Sequence, residues 1–183
     1  MPVRRVTPIT QAEMTARFRY EDGNLFWLPR GNPRFDKQFA GHKAGCFSAT
    51  ADMTIVAFKG KHIQLHRAVW VYHNGEIPEG MEIDHINQDR RDNRVENLRL
   101  CNRHQNMCNS RRRSDNKSGV KGVCWNPLTE TWRARVRANK VEVAVGSFKS
   151  LDEAEAAVRK TRFELHKEFA NMGYAPKESA PCL

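Results

Sequence analysis

The chain has 183 residues, five cysteines and a formal net charge of +10. This length suffices for one or two small domains, and no run of about 18 apolar residues is present that would predict a membrane span. The cysteines form no Cys-x-x-Cys pair, so a reduced, cytoplasmic protein without a common zinc site is expected. The positive charge favours a polyanion, above all nucleic acid, as the partner; a solvated basic face is the alternative.

The first residues predict a short helix followed by a β-hairpin. Thr10 and Glu13 have the spacing of a capping box, so a helix is expected to begin after Thr10. Asp22 and Gly23 lie between alternating apolar residues, which is typical of a hairpin turn.

The next segments predict a loop, two strands and a helix. Residues 31–45 are rich in Gly, Pro, Lys and Arg and predict a loop. The runs 54–58 and 62–65 predict short strands. Residues 65–75 fit either a strand or a short helix, and apolar residues that recur at helical spacing favour a helix over 68–73.

The pattern changes in the C-terminal third. Residues 107–119 are polar and basic and predict a linker. Strong alternation over 119–148 predicts three strands, and 150–170 predict an amphipathic helix that begins after Ser150. The remaining residues predict a frayed tail.

The stretch EIDHINQDRRDNRVENL, residues 82–98, concentrates groups suited to catalysis. Asp84 offers a charged oxygen to a hard divalent cation, and a later asparagine offers a neutral one. His85 has an ordinary pKa that permits base chemistry near neutral pH. The amides of Asn93 and Asn97 can bridge backbone groups and stiffen a long loop. Taken singly, each residue also fits a surface pair or a turn, but the combination beside a basic chain favours a catalytic site.

Several short motifs lie along HRAVWVYHNGEIPEGMEIDHINQDRRDNRVENLRLCNRHQNMCN. They are His66-Arg67, the turns at Gly75 and Gly80, Asp84-His85-Ile86-Asn87, Asp92-Asn93-Arg94 and Glu96-Asn97-Leu98. With these motifs, the segment from about residue 62 to 109 resembles the HNH homing endonucleases of phages and phage introns. The resemblance implies an α+β protein whose ββα-metal module is a hairpin and a helix around one metal ion.

The resemblance also implies roles for individual residues. His85 would be the general base that activates water, and Asn97 would hold the loop between the two strands. Asp84 and Asn106 would bind one Mg²⁺ or Mn²⁺ ion, with His104 as the alternative at the third motif position. The implied reaction is metal-dependent hydrolysis of DNA phosphodiester bonds to 5′-phosphate and 3′-hydroxyl ends, by a nick or a double-strand break.

The segment TWRARVRANK predicts a strand with two different faces. Arg133, Arg135 and Arg137 lie on one face, and apolar side chains including Ala134 and Val136 lie on the other. Such arginines could contact phosphates or guanine edges, and a solvated strand face is the alternative.

Around this strand lie Gly119, Gly122-Val123, Trp125, Trp132, Ala134, Gly146-x-Phe148 and Glu153-Ala154. With these residues, 118–170 resemble the APETALA-type (ethylene-response) DNA-binding domain, which is a three-stranded sheet packed on one helix. The residues predicted to bind DNA are Arg111, Arg112, Arg113, Lys121, Trp125, Arg133, Arg135 and Arg137.

The sequence therefore predicts a phage-encoded homing endonuclease that acts as a monomer on double-stranded DNA in the bacterial cytoplasm, away from membranes. The predicted divisions are a β-rich extension that adds to the nuclease sheet or contacts DNA (1–60), the HNH module (61–110), a basic linker (111–117), the DNA-binding domain (118–170) and a tail (171–183).

Three alternatives stay open. A non-catalytic, sequence-specific DNA-binding protein could retain the HNH fold. An RNA-binding module is disfavoured because no aromatic stacking platform is evident. A zinc cluster of Cys101, His104 and Cys108 lacks a fourth ligand.

Overall fold

The computed structural model describes residues 9–110, 112, 114–138 and 141–171. The chain divides into two compact units, Met1–Cys101 and Asn102–Leu183. The predicted tail lies outside the described residues except for Asn171. No helix within the described ranges is long and apolar enough to cross a membrane. The domain boundaries drawn from the sequence stay predictions.

The first unit combines three helices with seven short strands. They are α1 (Gln11–Thr15), β1 (Phe18–Glu21), β2 (Asn24–Trp27), α2 (Pro33–Phe39), β3 (Cys46–Ser48), β4 (Met53–Phe58), β5 (Lys61–Gln64), α3 (Leu65–Asn74), β6 (Met81–His85) and β7 (Leu98–Asn102). The strands form three separate sheets, ordered β1-β2, β3-β4-β5 and β6-β7.

The local signals at the start of the chain are confirmed. The hydroxyl of Thr10 accepts a hydrogen bond from the backbone N–H of Glu13, whose carboxylate accepts one from the N–H of Thr10. Asp22 and Gly23 both have positive φ, 45° and 76°, as a two-residue hairpin turn requires. These elements form where neighbours in sequence supply the necessary contacts.

The predicted loop over 31–45 is wrong, because α2 lies within it. Asn32 caps this helix by accepting a hydrogen bond from the N–H of Phe35, and Pro33 occupies the first helical turn. Asparagine favours the position before a helix because its side chain accepts a hydrogen bond from a backbone N–H that has no partner within the helix. Proline favours the first turn because it has no backbone N–H that would need a partner there. The composition of residues 31–45 does not predict this helix, whereas the order of Asn32 and Pro33 does.

One hydrophobic core joins the residues before and after position 60. Its buried members include Met14, Phe18, Leu25, Val56, Leu65, Val69, Ile83 and Leu98. Each large apolar side chain contributes about 1.5–3 kcal/mol when fully buried. The N-terminal strands do not extend the nuclease sheet, because β6 and β7 pair only with each other in the described part of the chain; the alternative that these strands contact DNA stays a prediction. The N-terminal segment instead supplies the core against which these two strands pack.

The second unit contains a short helix, an antiparallel sheet and a long helix. They are α4 (Arg103–Cys108), β8 (Val123–Asn126), β9 (Thr131–Ala138), β10 (Val141–Phe148) and α5 (Leu151–His166), followed by a 3₁₀ turn at Lys167–Phe169. The strand order is β10-β9-β8, and α5 packs on this sheet. The prediction of three strands followed by one helix is confirmed.

The two faces of β9 also agree with the sequence pattern. Ala134 and Val136 are buried in the core beneath α5, whereas Arg133, Arg135 and Arg137 are exposed. This alternation follows from the two-residue period of a strand. Arg133, Arg135 and Arg137 therefore form an exposed face of the second unit, the arginine face.

A buried polar network ties α4 to α5 within the second unit. The guanidinium of Arg162, which is 4% exposed, donates hydrogen bonds to the backbone carbonyls of Asn171 at 2.8 Å and Lys121 at 3.0 Å. The amide of Asn171 donates to the backbone carbonyl of Asn109, the C-cap of α4, at 2.8 Å. Buried polar groups are stable only when paired, so this network fixes one arrangement of the two helices.

A substitution at Gly122 tests how closely the chain packs around Arg162. A Cβ atom there would lie 2.4 Å from the carbonyl oxygen of Arg135 and 2.9 Å from the guanidinium of Arg162, at a φ of +85°. We expect Gly122→Ala to lower the free energy of unfolding by at least about 3 kcal/mol, because steric overlap adds to left-handed strain. Gly119→Ala is the control, because Gly119 has a similar φ of +80° but a Cβ atom there would lie no closer than 3.7 Å to its nearest neighbour. We expect this control to lower the free energy of unfolding by about 1 kcal/mol. Equal losses in urea unfolding would contradict the packing argument.

Candidate active site

The strands β6 and β7 carry the candidate site. Successive contacts join Glu82 to Cys101, Asp84 to Arg99 and Ile86 to Asn97, so the two strands run in opposite directions. Asp84 and His85 are the last residues of β6, and each is only 7% exposed.

The carboxylate of Asp84 is paired with Arg99. Oδ2 of Asp84 accepts hydrogen bonds from Nε and Nη2 of Arg99, at 3.0 and 2.9 Å. Both side chains are largely shielded from solvent, so the guanidinium compensates a charge that would otherwise be costly to bury. The sequence analysis missed Arg99; a strand register drawn across the two strands would have indicated it.

The imidazole of His85 is held by Asn93 in one orientation. Nε2 of His85 lies 3.2 Å from Oδ1 of Asn93, whose Nδ2 donates to the backbone carbonyl of Arg91 at 3.1 Å. Because the amide nitrogen of Asn93 is bound to a carbonyl, its oxygen faces the ring, and this oxygen can only accept. The hydrogen of the neutral ring therefore lies on Nε2, and Nδ1 carries the lone pair.

The same surroundings keep His85 neutral. Burial lowers the pKa of His85 below its usual range, although the hydrogen bond with Asn93 and the carboxylates of Asp84, Asp89 and Asp92 raise it. At neutral pH the imidazole is therefore unprotonated and able to accept a proton.

The side chain of Asn97 closes the loop between β6 and β7. Its Oδ1 accepts from the N–H of Asn87 at 3.0 Å, and its Nδ2 donates to Oδ1 of Asn87 at 2.9 Å and to the backbone carbonyl of Asp92 at 2.8 Å. The backbone carbonyl of Asn97 also accepts from the N–H of Ile86. The expected bridging of the loop by this amide is present; its catalytic assignment stays a prediction.

The N-terminal hairpin supports this loop from the other side. The hydroxyl of Tyr20 accepts a hydrogen bond from the N–H of Val95 at 3.2 Å. A Cβ atom at Gly23 would lie 2.8 Å from the backbone nitrogen of Arg94 and 2.9 Å from the carbonyl carbon of Asn93. Only glycine permits this approach, so the hairpin contacts the residue that holds His85. The sequence offered no signal for this long-range contact.

A second histidine packs on the first. The rings of His66, at the start of α3, and His85 meet edge to face with centroids 5.0 Å apart. Burial, followed by the neighbouring charges of His85 and Arg67, lowers the pKa of His66 to about 3. His66 therefore stays neutral and adds no positive charge beside the candidate base.

The comparisons with known proteins identify the family of the region that forms this site. Residues 64–108, which span α3 to α4, match the family model of the HNH endonucleases. The chain is 39% identical over 112 residues to protein 3.8 of Escherichia phage T7, a match that covers 60% of this chain and 87% of the phage protein. The chain belongs to the same family as phage T7 protein 3.8 and carries an HNH endonuclease domain.

Two further viral relatives share parts of the chain. A protein of Acanthamoeba polyphaga mimivirus, named as an uncharacterized HNH endonuclease, is 30% identical over 109 residues, 59% of this chain and 56% of that protein. The uncharacterized gene 5.3 protein of Enterobacteria phage T3 is 53% identical over 38 residues, 21% of this chain and 38% of that protein. No solved structure matches the chain. The predicted HNH domain is confirmed, whereas the homing type and the APETALA-type resemblance stay predictions.

The candidates for the third HNH motif position lie on α4, in the second unit. Asn102 caps this helix in a reciprocal arrangement with Gln105. Asn106 is half-buried on α4, and Nε2 of His104 lies 3.7 Å from Sγ of Cys108. The choice between Asn106 and His104 stays a prediction.

The predicted metal ligands stay predictions, since Asp84 belongs to the first unit and Asn106 to the second. In the described part of the chain, no group of three or more His, Cys, Asp or Glu side chains could hold a metal ion, so the identity of the metal ion stays a prediction. The predicted ligands Asp84 and Asn106 bring a carboxylate and an amide oxygen, which suit Mg²⁺ because this ion keeps water and substrate phosphate as its other ligands. Arg99 already binds one oxygen of Asp84, so a metal ion would share this carboxylate with a cation.

The predicted DNA-binding residues differ in their surroundings. Arg111 and Arg113 lie outside the described residues, and Arg112 is exposed. The ammonium group of Lys121 donates to the backbone carbonyls of Cys108 and Ser110, and burial, followed by the charge of nearby Arg162, lowers its pKa to about 8.

Lys121 therefore stabilises the end of α4, and its contact with DNA stays a prediction. Trp125 is 46% exposed, and the three arginines of β9 are exposed. Arg135 also forms a surface pair with Glu142.

The lowered pKa of His66 predicts acid sensitivity. In the unfolded chain this pKa returns to about 6.5, so protonation favours unfolding as the pH falls from about 6.5 toward 3. We expect the wild-type protein to lose about 2 kcal/mol more than His66→Phe between pH 7 and pH 4.5. The measurement is urea unfolding at each pH, with His62→Phe as the control at an exposed position of β5. Identical losses for the wild-type and His66→Phe proteins would contradict the effect of burial.

Tyr20 provides a test of the hairpin contact. Tyr20→Phe removes the acceptor of the Val95 N–H, so we expect the free energy of unfolding to fall by about 1 kcal/mol and the Val95 amide to exchange faster with solvent. Tyr72→Phe is the matched control, because this neighbouring ring has no hydroxyl hydrogen bond within the described residues. Unchanged exchange at Val95 in Tyr20→Phe would mean that the contact does not order the loop.

Proposed function

We propose that this protein is a metal-dependent homing-type DNA endonuclease whose general base is His85. The HNH domain implies a nuclease that acts on DNA. The observation that carries the assignment of the base is the Asn93 contact, which leaves Nδ1 as the basic nitrogen of a neutral ring.

The proposed chemistry begins with proton transfer at Nδ1 of His85. A water molecule that attacks the phosphorus atom must lose a proton, and a neutral imidazole accepts it. The resulting imidazolium keeps its Nε2–H directed at Asn93, while the carboxylate of Asp84 offsets its charge. Asn93 therefore positions the base without exchanging protons itself.

Asn97 serves the reaction by holding the loop. Its amide fixes Asn87 and Asp92, so the segment that contains Asn93 keeps its place beside His85. Preorganised groups favour catalysis because little rearrangement is needed in the transition state.

Asp84 and Asn106 are the proposed ligands of one Mg²⁺ or Mn²⁺ ion. When bound, this ion would neutralise charge on the phosphate and stabilise the departing 3′ oxygen, which takes a proton from solvent water, so the products are a 5′-phosphate and a 3′-hydroxyl. Arg99 compensates the carboxylate of Asp84 when no cation is present.

The second unit is the proposed DNA-reading part, in the manner of the APETALA-type domains that its sequence resembles. Support comes from the exposed arginine face of β9, which can contact phosphates or guanine edges. The proposal includes a phage-encoded enzyme that acts as a monomer on double-stranded DNA in the bacterial cytoplasm.

The decisive experiment separates cleavage from binding. We expect His85→Ala to lower the rate of DNA cleavage at least 100-fold and to leave binding in a gel-shift assay unchanged, because the proton acceptor is lost but no phosphate contact is. His62→Ala is the matched control, an exposed histidine outside the site. A His85→Ala protein that cuts DNA near the wild-type rate would refute the assignment.

The same assay tests the metal ion. EDTA should stop cleavage and added Mg²⁺ or Mn²⁺ should restore it. Binding of Mn²⁺, measured by electron paramagnetic resonance, should weaken in Asp84→Asn, which keeps the size of the side chain but removes its charge. A wild-type protein that binds DNA without cutting it at any metal concentration would favour the non-catalytic DNA-binding alternative.

A further inference from the structure

The second unit contains a cleft of about 710 Å³ beside the edge strand β8. Ser110, Arg112 and residues 115–118 line one wall, and β8 with Trp132 and Arg135 of β9 lines the other. Four of the residues that the sequence predicts to bind DNA line this cleft: Arg112, Lys121, Trp125 and Arg135. This volume lies within the usual range for sites that bind small molecules.

Hydrogen bonds of Asn116 and Ser118 hold the loop wall of the cleft in place without a ligand. The hydroxyl of Ser118 donates to the backbone carbonyl of Val123 at 2.6 Å and accepts from the N–H of Val120 at 3.2 Å. The amide of Asn116 donates to the carbonyl of Val120 at 3.0 Å. A wall held in this way loses little conformational entropy on binding.

An aromatic surface opens into this cleft. Trp125 on β8 lies opposite Trp132 on β9, and their rings meet at 5.1 Å between centroids. Trp132 packs on the hydrophobic core, so it supports Trp125 from behind, whereas Trp125 stays 46% exposed. An exposed, supported indole is suited to stacking against a nucleic-acid base. The expectation from the sequence that no aromatic stacking surface is present is therefore wrong at Trp125.

The charge of the cleft suits a phosphate. Arg112 and Lys117 bring two cationic side chains to the lining, against one carboxylate, that of Asp115. Arg135 also lines the cleft, but its side chain lies on the arginine face of β9 and pairs with Glu142 of β10, so its guanidinium contributes little to the charge of the cleft. Lys121 contributes less, because its ammonium group already holds the end of α4.

We propose that this cleft binds one unpaired nucleotide of a DNA strand, with its base on Trp125 and its phosphate near Arg112 and Lys117. The proposal rests on the function proposed above. Bases of an intact duplex are stacked inside the helix, so they reach such a cleft only after extrusion or in unpaired DNA. The cleft would thus favour DNA with an unpaired or flipped-out base, in addition to contacts that the arginine face makes with a duplex.

The test compares two DNA probes that differ by one nucleotide. One is a fluorescein-labelled perfect duplex, and the other is the same duplex with a single unpaired nucleotide; both are measured by fluorescence anisotropy in EDTA to prevent cleavage. We expect the wild-type protein to bind the second probe more tightly. Trp125→Ala should lower the affinity for that probe roughly tenfold, within the range of one base–aromatic stack, and change the affinity for the perfect duplex less than twofold.

Three further variants complete the design. Leu128→Ala is the matched control, because this side chain is 94% exposed, lies in the turn after β8 and does not line the cleft. Trp125→Phe keeps an aromatic ring and should retain most of the preference. Lys117→Gln changes an exposed side chain that the fold does not need, so it tests the phosphate contact should Trp125→Ala unfold; it should reduce the preference as well.

The outcomes separate this proposal from the proposed function. Equal losses on both probes in Trp125→Ala, or a wild-type protein without preference for the unpaired nucleotide, would overturn the cleft proposal while leaving DNA cleavage intact. A wild-type protein that neither binds nor cuts DNA would overturn both. A selective loss in Trp125→Ala and Lys117→Gln, with Leu128→Ala unchanged, would support the cleft proposal.

Discussion

The carboxamide of Asn97 is the contact on which the geometry of the candidate site depends. It binds both the backbone and the side chain of Asn87, and it also binds the backbone of Asp92, so one side chain joins the two ends of the loop. Fixing the backbone of each residue costs about 1–2 kcal/mol, so a loop of this length is ordered only where such bonds compensate. Asn93 lies within this closed loop, and the orientation of His85 follows from it.

The charges at the candidate site keep the buried imidazole of His85 neutral. Asp84 is compensated by Arg99, and the buried rings of His66 and His85 both have a lowered pKa. These groups can be buried because residues before position 60 share one hydrophobic core with β6 and β7. The N-terminal segment therefore helps to form the core beneath the site, and the hydroxyl of Tyr20 accepts a hydrogen bond from the loop between β6 and β7.

The second unit presents two surfaces with different chemistry. The arginine face of β9 is exposed, whereas the cleft beside β8 has two walls and carries an exposed indole. The first suits the backbone of a duplex, and the second suits a single base. In the same unit, Arg162 and Asn171 hold the end of α4, so the helix that carries both candidates for the third HNH motif position belongs to the proposed DNA-reading unit.

The sequence by itself determined the features that depend on neighbouring residues and on residue order. These are the capping box at Thr10, the hairpin turn at Asp22, the two faces of β9 and the HNH motif. The composition of residues 31–45 did not predict α2, because the start of this helix depends on the positions of Asn32 and Pro33. Only the tertiary structure decided the pairs Asp84–Arg99, His66–His85 and Tyr20–Val95 and the cleft beside β8. The partners in these pairs are far apart along the chain, and their contact depends on strand register and core packing, which no local pattern specifies.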